Sequence, residues 1–195
     1  MYIIKKCTHT LNEEDYMKKI FLVIVAVLLL GTGCSMLSNT PSDSVSKFLN
    51  KYKNNDTVVV NELNDYLSEE ELMEEQKEDY REIYLRQYSN MKYEIKEEEI
   101  NGDEAEVEVQ VTVFDYYKTN ALSGDYFTAN QADFVNDNGD IDLSKYVAYK
   151  INKLLDTTDT VDYTLTIKLQ KVDNEWEVQP LSLDDLNKLH GTYEY

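Results

Sequence analysis

Asp115 and the two tyrosines that follow it, Tyr116 and Tyr117, have the residue types needed for acid–base chemistry. They stand at the end of an alternating segment that predicts a long strand. An aspartate whose pKa is raised by burial, beside a tyrosine that donates a hydrogen bond, can move a proton to or from a substrate. Tyrosine is also common in cores and at pocket rims, because its apolar ring has a polar tip. We favour a structural role for Asp115 and keep proton transfer as the alternative.

The chain has few of the histidine and cysteine residues that other kinds of catalysis need. After Cys34 the sequence contains a single histidine, His190, and no further cysteine. Cys–His and Ser–His–Asp catalysis and histidine-based zinc sites need more than this, so we exclude them and expect no catalytic residue, metal or cofactor. The segment LHGTY predicts a helix end, with Gly191 as the stop and His190 favourable at the negative end of the helix dipole.

The polar segment Asn136–Asp142 invites comparison with a calcium-binding loop. When Gly139 is aligned with the glycine that such a loop requires, Phe134 and Lys145 fall where carboxylate ligands belong. The segment is therefore expected to be a polar turn.

Cys34 closes a segment with the plan of a secretory signal. Met17–Lys19 gives a charged start, Ile20–Leu30 an apolar run, and Gly31–Gly33 the small residues before a cut at Cys34. The apolar run is shorter than the roughly 20 residues of a transmembrane helix, which argues against a spanning anchor. The segment resembles a bacterial lipoprotein signal peptide. That resemblance implies that Cys34 becomes the acylated first residue of the mature protein, held firmly by a diacylglyceryl group.

The residues upstream of this signal do not fit its plan. Met1–Tyr16 includes three consecutive acids at positions 13–15, where a leader should be positively charged. We interpret Met1–Tyr16 as an upstream extension and 17–33 as the signal peptide, with Met1 as the alternative start of translation. Cys7 and His9 would then be absent from the mature protein, and two lone ligands would not make a metal site.

The net negative charge of the mature chain limits the partners that it can bind. After Cys34 there are 15 basic and 35 acidic side chains, a net charge of −20. Such a surface repels nucleic acid, and it repels anionic headgroups within a Debye length of about 8 Å. We exclude nucleic acid as a partner and expect the lipid on Cys34 to hold the domain beside a bilayer that its charge keeps it from lying on. Residues 34–40 are the lipidated cysteine and a short polar tether, and 41–195 is expected to be one domain without disulfides.

Hydrophobic periodicity predicts the elements that position these residues. Three helices come first, over about 45–52, Thr57–Leu67 (with a strand as the alternative at 58–60) and 72–89. Alternation then predicts a hairpin that turns at Asn101-Gly102, the strongest short hairpin signal. Residues 119–141 are rich in Asn, Asp and Gly and predict a long loop or loose hairpin. A helix from Ser144, a second hairpin turning at Asp173-Asn174 and a short helix Leu183–Leu189 complete the α+β pattern.

This order of elements, with the ending VDNEWEVQPLSLDDLNKL, resembles the nuclear-transport-factor-two-like superfamily over Pro41–Leu189. The resemblance implies N-terminal helices packed on a curved, mostly antiparallel sheet, a cone-like fold whose mouth can hold a ligand. It also implies several possible functions, because some members are isomerases or dehydratases and many are non-catalytic binding or dimerising modules.

The sequence thus predicts a lipoprotein on the extracytoplasmic face of the cell membrane, acting as a non-catalytic module. Its expected partners are membrane lipid through acylated Cys34 and either a small molecule or a cell-envelope protein, with a homodimer as a further possibility. The alternative is a ketosteroid-isomerase-like enzyme that transfers protons through Asp115 and tyrosines inside the cone.

Overall fold

The structure is a computed structural model, and it describes residues 39–69 and 72–195. Six α-helices and four strands lie within these residues. The helices are α1 (Pro41–Lys53), α2 (Thr57–Glu69), α3 (Glu74–Asn90), α4 (Tyr116–Ala129), α5 (Leu143–Asp156) and α6 (Leu183–His190), and a 3-10 helix spans Gln131–Phe134. The strands are β1 (Lys92–Asn101), β2 (Glu104–Phe114), β3 (Thr160–Val172) and β4 (Glu175–Val178). The α+β class is confirmed.

The four strands form one sheet in the order β1-β2-β3-β4, and all three neighbouring pairs are antiparallel. Buried and exposed residues alternate along β2 and β3, because successive side chains of a strand point to opposite faces. The predicted turns at Asn101-Gly102 and Asp173-Asn174 are confirmed. Gly102 has φ +66°, and Asp173 and Asn174 both have positive φ, as the two-residue turn of a tight hairpin requires.

The inner face of the sheet is covered by α1 and α6. Val45 and Leu49 of α1 and Leu186 and Leu189 of α6 are buried against the valines of β2 and the aliphatic residues of β3. The apolar spacing that predicted α1 therefore marks its sheet-facing side. Thr40 caps this helix, because its hydroxyl oxygen accepts a hydrogen bond from the Asp43 N–H (3.1 Å).

One edge of the sheet is only partly covered by β4, which pairs with Leu169–Val172 at the end of β3. Earlier along that edge, the Lys188 ammonium from α6 donates a hydrogen bond to the Thr164 carbonyl oxygen (3.0 Å). A side-chain cation thus occupies a backbone group that a neighbouring strand would otherwise use.

The prediction of a loop or loose hairpin over 119–141 is wrong, because most of its first half lies in α4. Asp115 caps this helix, and the aromatic residues of its last turns pack on α5. The rings of Tyr126 and Tyr149 stack at 4.9 Å, and those of Phe127 and Tyr146 lie 4.5 Å apart. These partners lie about twenty residues further along the chain, so the local excess of polar residues hid the helix.

The two ends of the sheet are different. At one end, which we call the turn end, the β1–β2 and β3–β4 turns lie together, and the Lys171 N–H donates to the Asp103 carbonyl oxygen (2.7 Å). At the opposite, helical end, β2 leads into α4 and α5 leads into β3, and Ile83, Tyr116, Ile151 and Leu154 form a separate apolar cluster. No helix among the described residues is long and apolar enough to cross a membrane.

Candidate functional site

Asp115 lies at the helical end of the sheet, directly after β2, and is only 4% exposed. One carboxylate oxygen, Oδ1, accepts a hydrogen bond from the Lys118 N–H (2.9 Å), and Asp115 thereby caps α4. The other, Oδ2, accepts a hydrogen bond from the Tyr195 hydroxyl (2.7 Å). Each oxygen therefore already accepts one hydrogen bond from the protein, and the low exposure of the side chain leaves a substrate little access to this carboxylate.

The two tyrosines next to Asp115 in sequence do not act with it. The Tyr116 hydroxyl turns away and donates to the Ile83 carbonyl oxygen (3.2 Å). The Tyr117 ring packs on the ring of Tyr195, with centroids 5.5 Å apart. The donor to Asp115 is instead Tyr195, which local sequence spacing could not indicate because it lies 80 positions away.

A second distant tyrosine, Tyr163 of β3, lies near this carboxylate. Burial, and to a smaller degree the charge of Asp115, raises the pKa of Tyr163 to about 12. Its hydroxyl therefore stays protonated at neutral pH and donates to the Tyr193 carbonyl oxygen (3.0 Å). The hydrogen bond to Asp115 likewise raises the pKa of Tyr195. The arrangement can hold residues 193–195 against the sheet, and its two tyrosines are hydrogen-bond donors rather than bases.

His190 ends α6 as predicted, with Gly191 after it in the left-handed conformation at φ +72°. Its Nε2 atom lies 3.0 Å from the Tyr88 hydroxyl, and its ring packs on Tyr84 at 5.0 Å. Burial lowers the pKa of His190 to about 4. Burial therefore disfavours the charged imidazole, which weakens the interaction with the helix dipole that we expected of His190.

The segment Asn136–Asp142 forms the polar turn that the sequence predicted. The Asn136 side-chain oxygen accepts hydrogen bonds from the N–H groups of Asn138 (2.9 Å) and Asp140 (3.0 Å). Val135 and Ile141 pair across the turn. Within 39–69 and 72–195, no three His, Cys, Asp or Glu side chains are grouped to hold a metal ion. Cys34, the predicted lipidation residue, lies outside the described residues.

A shallow groove of about 400 Å³ runs along α3 at the helical end, and sequence reasoning did not find it. Its lining includes Asn55, Arg81, Glu82, Leu85 and Arg86. The Arg86 guanidinium lies 3.9 Å over the Phe114 ring, and it donates to the Thr157 carbonyl oxygen (2.6 Å). The Asn55 side-chain oxygen is buried and has no hydrogen-bond partner. The lining is mixed in charge, and Asp115 is not part of it.

Comparisons with known proteins leave the family open. No protein-family model matches the chain, and no curated protein matches it. Among solved structures, one similar chain is a protein of Bacillus subtilis that carries a provisional description as a lipoprotein. It is 17% identical, with a TM-score of 0.40 over 92% of this chain and 57% of that one. Our chain thus spans little more than half of that protein, and a likeness at this level carries no argument. The resemblance to the nuclear-transport-factor-two-like superfamily stays a prediction.

Proposed function

We propose that the protein is a lipoprotein, anchored through acylated Cys34 on the extracytoplasmic face of the cell membrane, whose domain binds partners without catalysing a reaction. The observation that supports this most directly is the short chain between Cys34 and the fold. Asn39 already contacts the domain, because its side-chain amide donates to the Asn174 carbonyl oxygen (2.5 Å). A domain that begins five residues after an acylated cysteine works beside the bilayer.

The use of the chemistry-bearing residues supports a non-catalytic role. One carboxylate oxygen of Asp115 caps α4, and the other accepts a hydrogen bond from Tyr195. His190 is half-buried, with its ring nitrogen 3.0 Å from the Tyr88 hydroxyl, and apolar side chains cover the inner face of the sheet. Binding would then use the outside of the domain. The groove on α3 suits a small polar molecule, and the exposed side chains of Leu122, Tyr126 and Leu143 at the helical end suit an envelope protein or a second copy.

Lipid labelling tests the anchor. The full chain, expressed in a bacterium that processes lipoproteins, should incorporate an alkyne fatty acid, and its N-terminal peptide should begin at a diacylglyceryl Cys34. Cys34→Ala should lose the label and leave the membrane fraction. Cys7→Ala is the matched control and should keep both, because Cys7 precedes the predicted cut. An unmodified thiol at Cys34 in a membrane-fraction protein, or a labelled Cys34→Ala variant, would refute the anchor.

The rival function, proton transfer in the manner of a ketosteroid isomerase, is favoured by the 2.7 Å hydrogen bond between the Tyr195 hydroxyl and Asp115. Our proposal expects no turnover of small carbonyl substrates by the wild type. Turnover that Asp115→Asn abolishes, with the variant still folded, would instead establish the enzyme. Asp162→Asn, an exposed aspartate on the sheet, is the control that should leave such turnover unchanged.

A further inference from the structure

The point where the chain joins the domain lies at the turn end of the sheet. Asn39 contacts Asn174 in the β3–β4 turn. Three residues later, Ser42 at the start of α1 donates from its N–H to the Glu98 carboxylate of β1 (2.9 Å). Glu98 is close to the β1–β2 turn, because its register partner is Val107 and the hairpin closes at Asn101 and Glu104. Both hairpin turns and the first turn of α1 thus surround the entry point.

The chain before that point is short compared with the domain. Five residue steps separate Cys34 from Asn39, so their Cα atoms can be at most about 18 Å apart even when the chain is fully extended. Along β2, from Glu104 to Phe114, the sheet extends about 35 Å from the turn end to the helical end. Even when it is fully extended along the sheet, this segment carries Cys34 only about half of the way to α4 and α5. The remaining question is whether the domain lies flat.

The outer face of the sheet opposes a flat orientation on anionic lipid. It carries acids on β1 and β2, where the register sets Glu97 opposite Glu108 and Glu99 opposite Glu106. Like charges directly opposite each other across strands are unfavourable. Lys168 offsets one of them, at 3.3 Å from Glu106. Resting this face on anionic headgroups would add further like charges within a Debye length.

We propose that the turn end of the domain faces the phospholipid bilayer and that the helical end, with α4, α5 and the groove on α3, projects away from it. This orientation rests on the proposed lipid anchor at Cys34. It makes the helical end the surface that meets partners, and it keeps the acidic outer sheet face at an angle to the membrane.

Single-cysteine labels on the lipidated protein test this orientation. The background is the full chain with Cys7→Ser, in which acylated Cys34 has no free thiol. A fluorophore is attached in turn to Asp103→Cys at the turn end, Glu108→Cys on the outer sheet face and Asp137→Cys at the helical end. All three side chains are exposed, and each change removes one negative charge. The protein is reconstituted in phosphatidylcholine vesicles with a fifth of phosphatidylglycerol and a headgroup-linked quencher.

The label at position 103 should be quenched several-fold more than those at 108 and 137. Quenching at 103 should rise from low to physiological salt, since screening shortens the reach of the repulsion from about 30 Å to about 8 Å. Vesicles of phosphatidylcholine alone should remove that salt dependence. Protein that floats with the vesicles but is quenched as strongly at 108 or 137 overturns the orientation and leaves the anchor standing. Protein that does not float with them overturns the anchor, and the orientation with it.

Discussion

His190 offers the sharpest test of how this domain is packed. The imidazole contacts Tyr84 and Tyr88 of α3, and Tyr88 in turn packs on Tyr52 of α1 with ring centroids 5.1 Å apart. Burial lowers the pKa of His190 to about 4 in the folded protein, from an ordinary value of 6.5. The unfolded chain therefore binds this proton more tightly, and stability should fall as the pH drops below 6.5 towards 4.

The magnitude follows from the difference between the two pKa values. A difference of about 2.5 pH units corresponds to about 3.4 kcal/mol of unfolding free energy. His190 is not wholly excluded from solvent, so we discount this by about half, to 1–2 kcal/mol by pH 4.5. Glu62 of α2 acts in the opposite direction. Burial raises its pKa to about 7, so its protonation favours the folded state as the pH falls from 7 to 4.5.

Urea unfolding of the wild type and of His190→Gln, at pH 7.5 and at pH 4.5, isolates the histidine. The wild type should lose about 1–2 kcal/mol more than the variant between these two pH values, because all other titrating groups are common to both. Glu62→Gln is the control with the opposite sign, and its stability should fall more steeply than that of the wild type. Parallel losses in the wild type and in His190→Gln would refute a lowered pKa for His190 in the folded protein.

The remaining predictions concern single contacts, each measured by urea unfolding at pH 7.5. Gln87→Leu should cost about 2–4 kcal/mol, because this fully buried amide binds both the N–H (2.9 Å) and the carbonyl oxygen (3.2 Å) of Phe114. Gly191→Ala should cost more than about 2 kcal/mol, because φ is +72° and an added Cβ would lie 2.0 Å from the Phe114 carbonyl oxygen. Gly102→Ala, with a similar φ but open space around it, should cost about 1 kcal/mol. Asp115→Ala should cost about 1 kcal/mol through the lost helix cap, and Asp115→Asn less, because asparagine also caps helices.

Each contact prediction has an outcome that contradicts it. A Gln87→Leu variant within about 0.5 kcal/mol of the wild type would mean that water replaces the amide at the end of β2. Equal losses of stability in the two glycine variants would mean that the close approach at position 191 contributes nothing. The positive φ alone would then explain both losses. An Asp115→Asn variant that loses as much stability as Asp115→Ala would show that the charge of the carboxylate, and not its cap, stabilises this corner.

The sequence predicted those features that depend on local order. The spacing of Val45 and Leu49 predicted the sheet-facing side of α1, and alternation predicted β2 and β3, because one face of each element is buried. The Asn101-Gly102 and Asp173-Asn174 pairs predicted the turns, since they tolerate the positive φ that tight hairpins need.

Features that depend on distant partners were missed. The rings that stabilise α4 come from α5, and for this reason the sequence wrongly predicted a loop over residues 119–141. The hydroxyl that binds Asp115 belongs to Tyr195, and the lowered pKa of His190 follows from burial against α3. Likewise, the groove on α3 needs Asn55 from the α1–α2 turn as well as residues of α3. Such contacts have no signature in sequence spacing.

The ammonium of Lys188 on the Thr164 carbonyl has a consequence for a crowded surface. On a membrane, where we propose that this protein is anchored, molecules are confined to two dimensions, and an open strand edge is where collisions between them turn into aggregates. A strand that approached this part of β3 would have to displace a bound cation before it could pair. Replacing the lysine would therefore show its effect chiefly at high surface density, as clustering that dilute solution does not reveal.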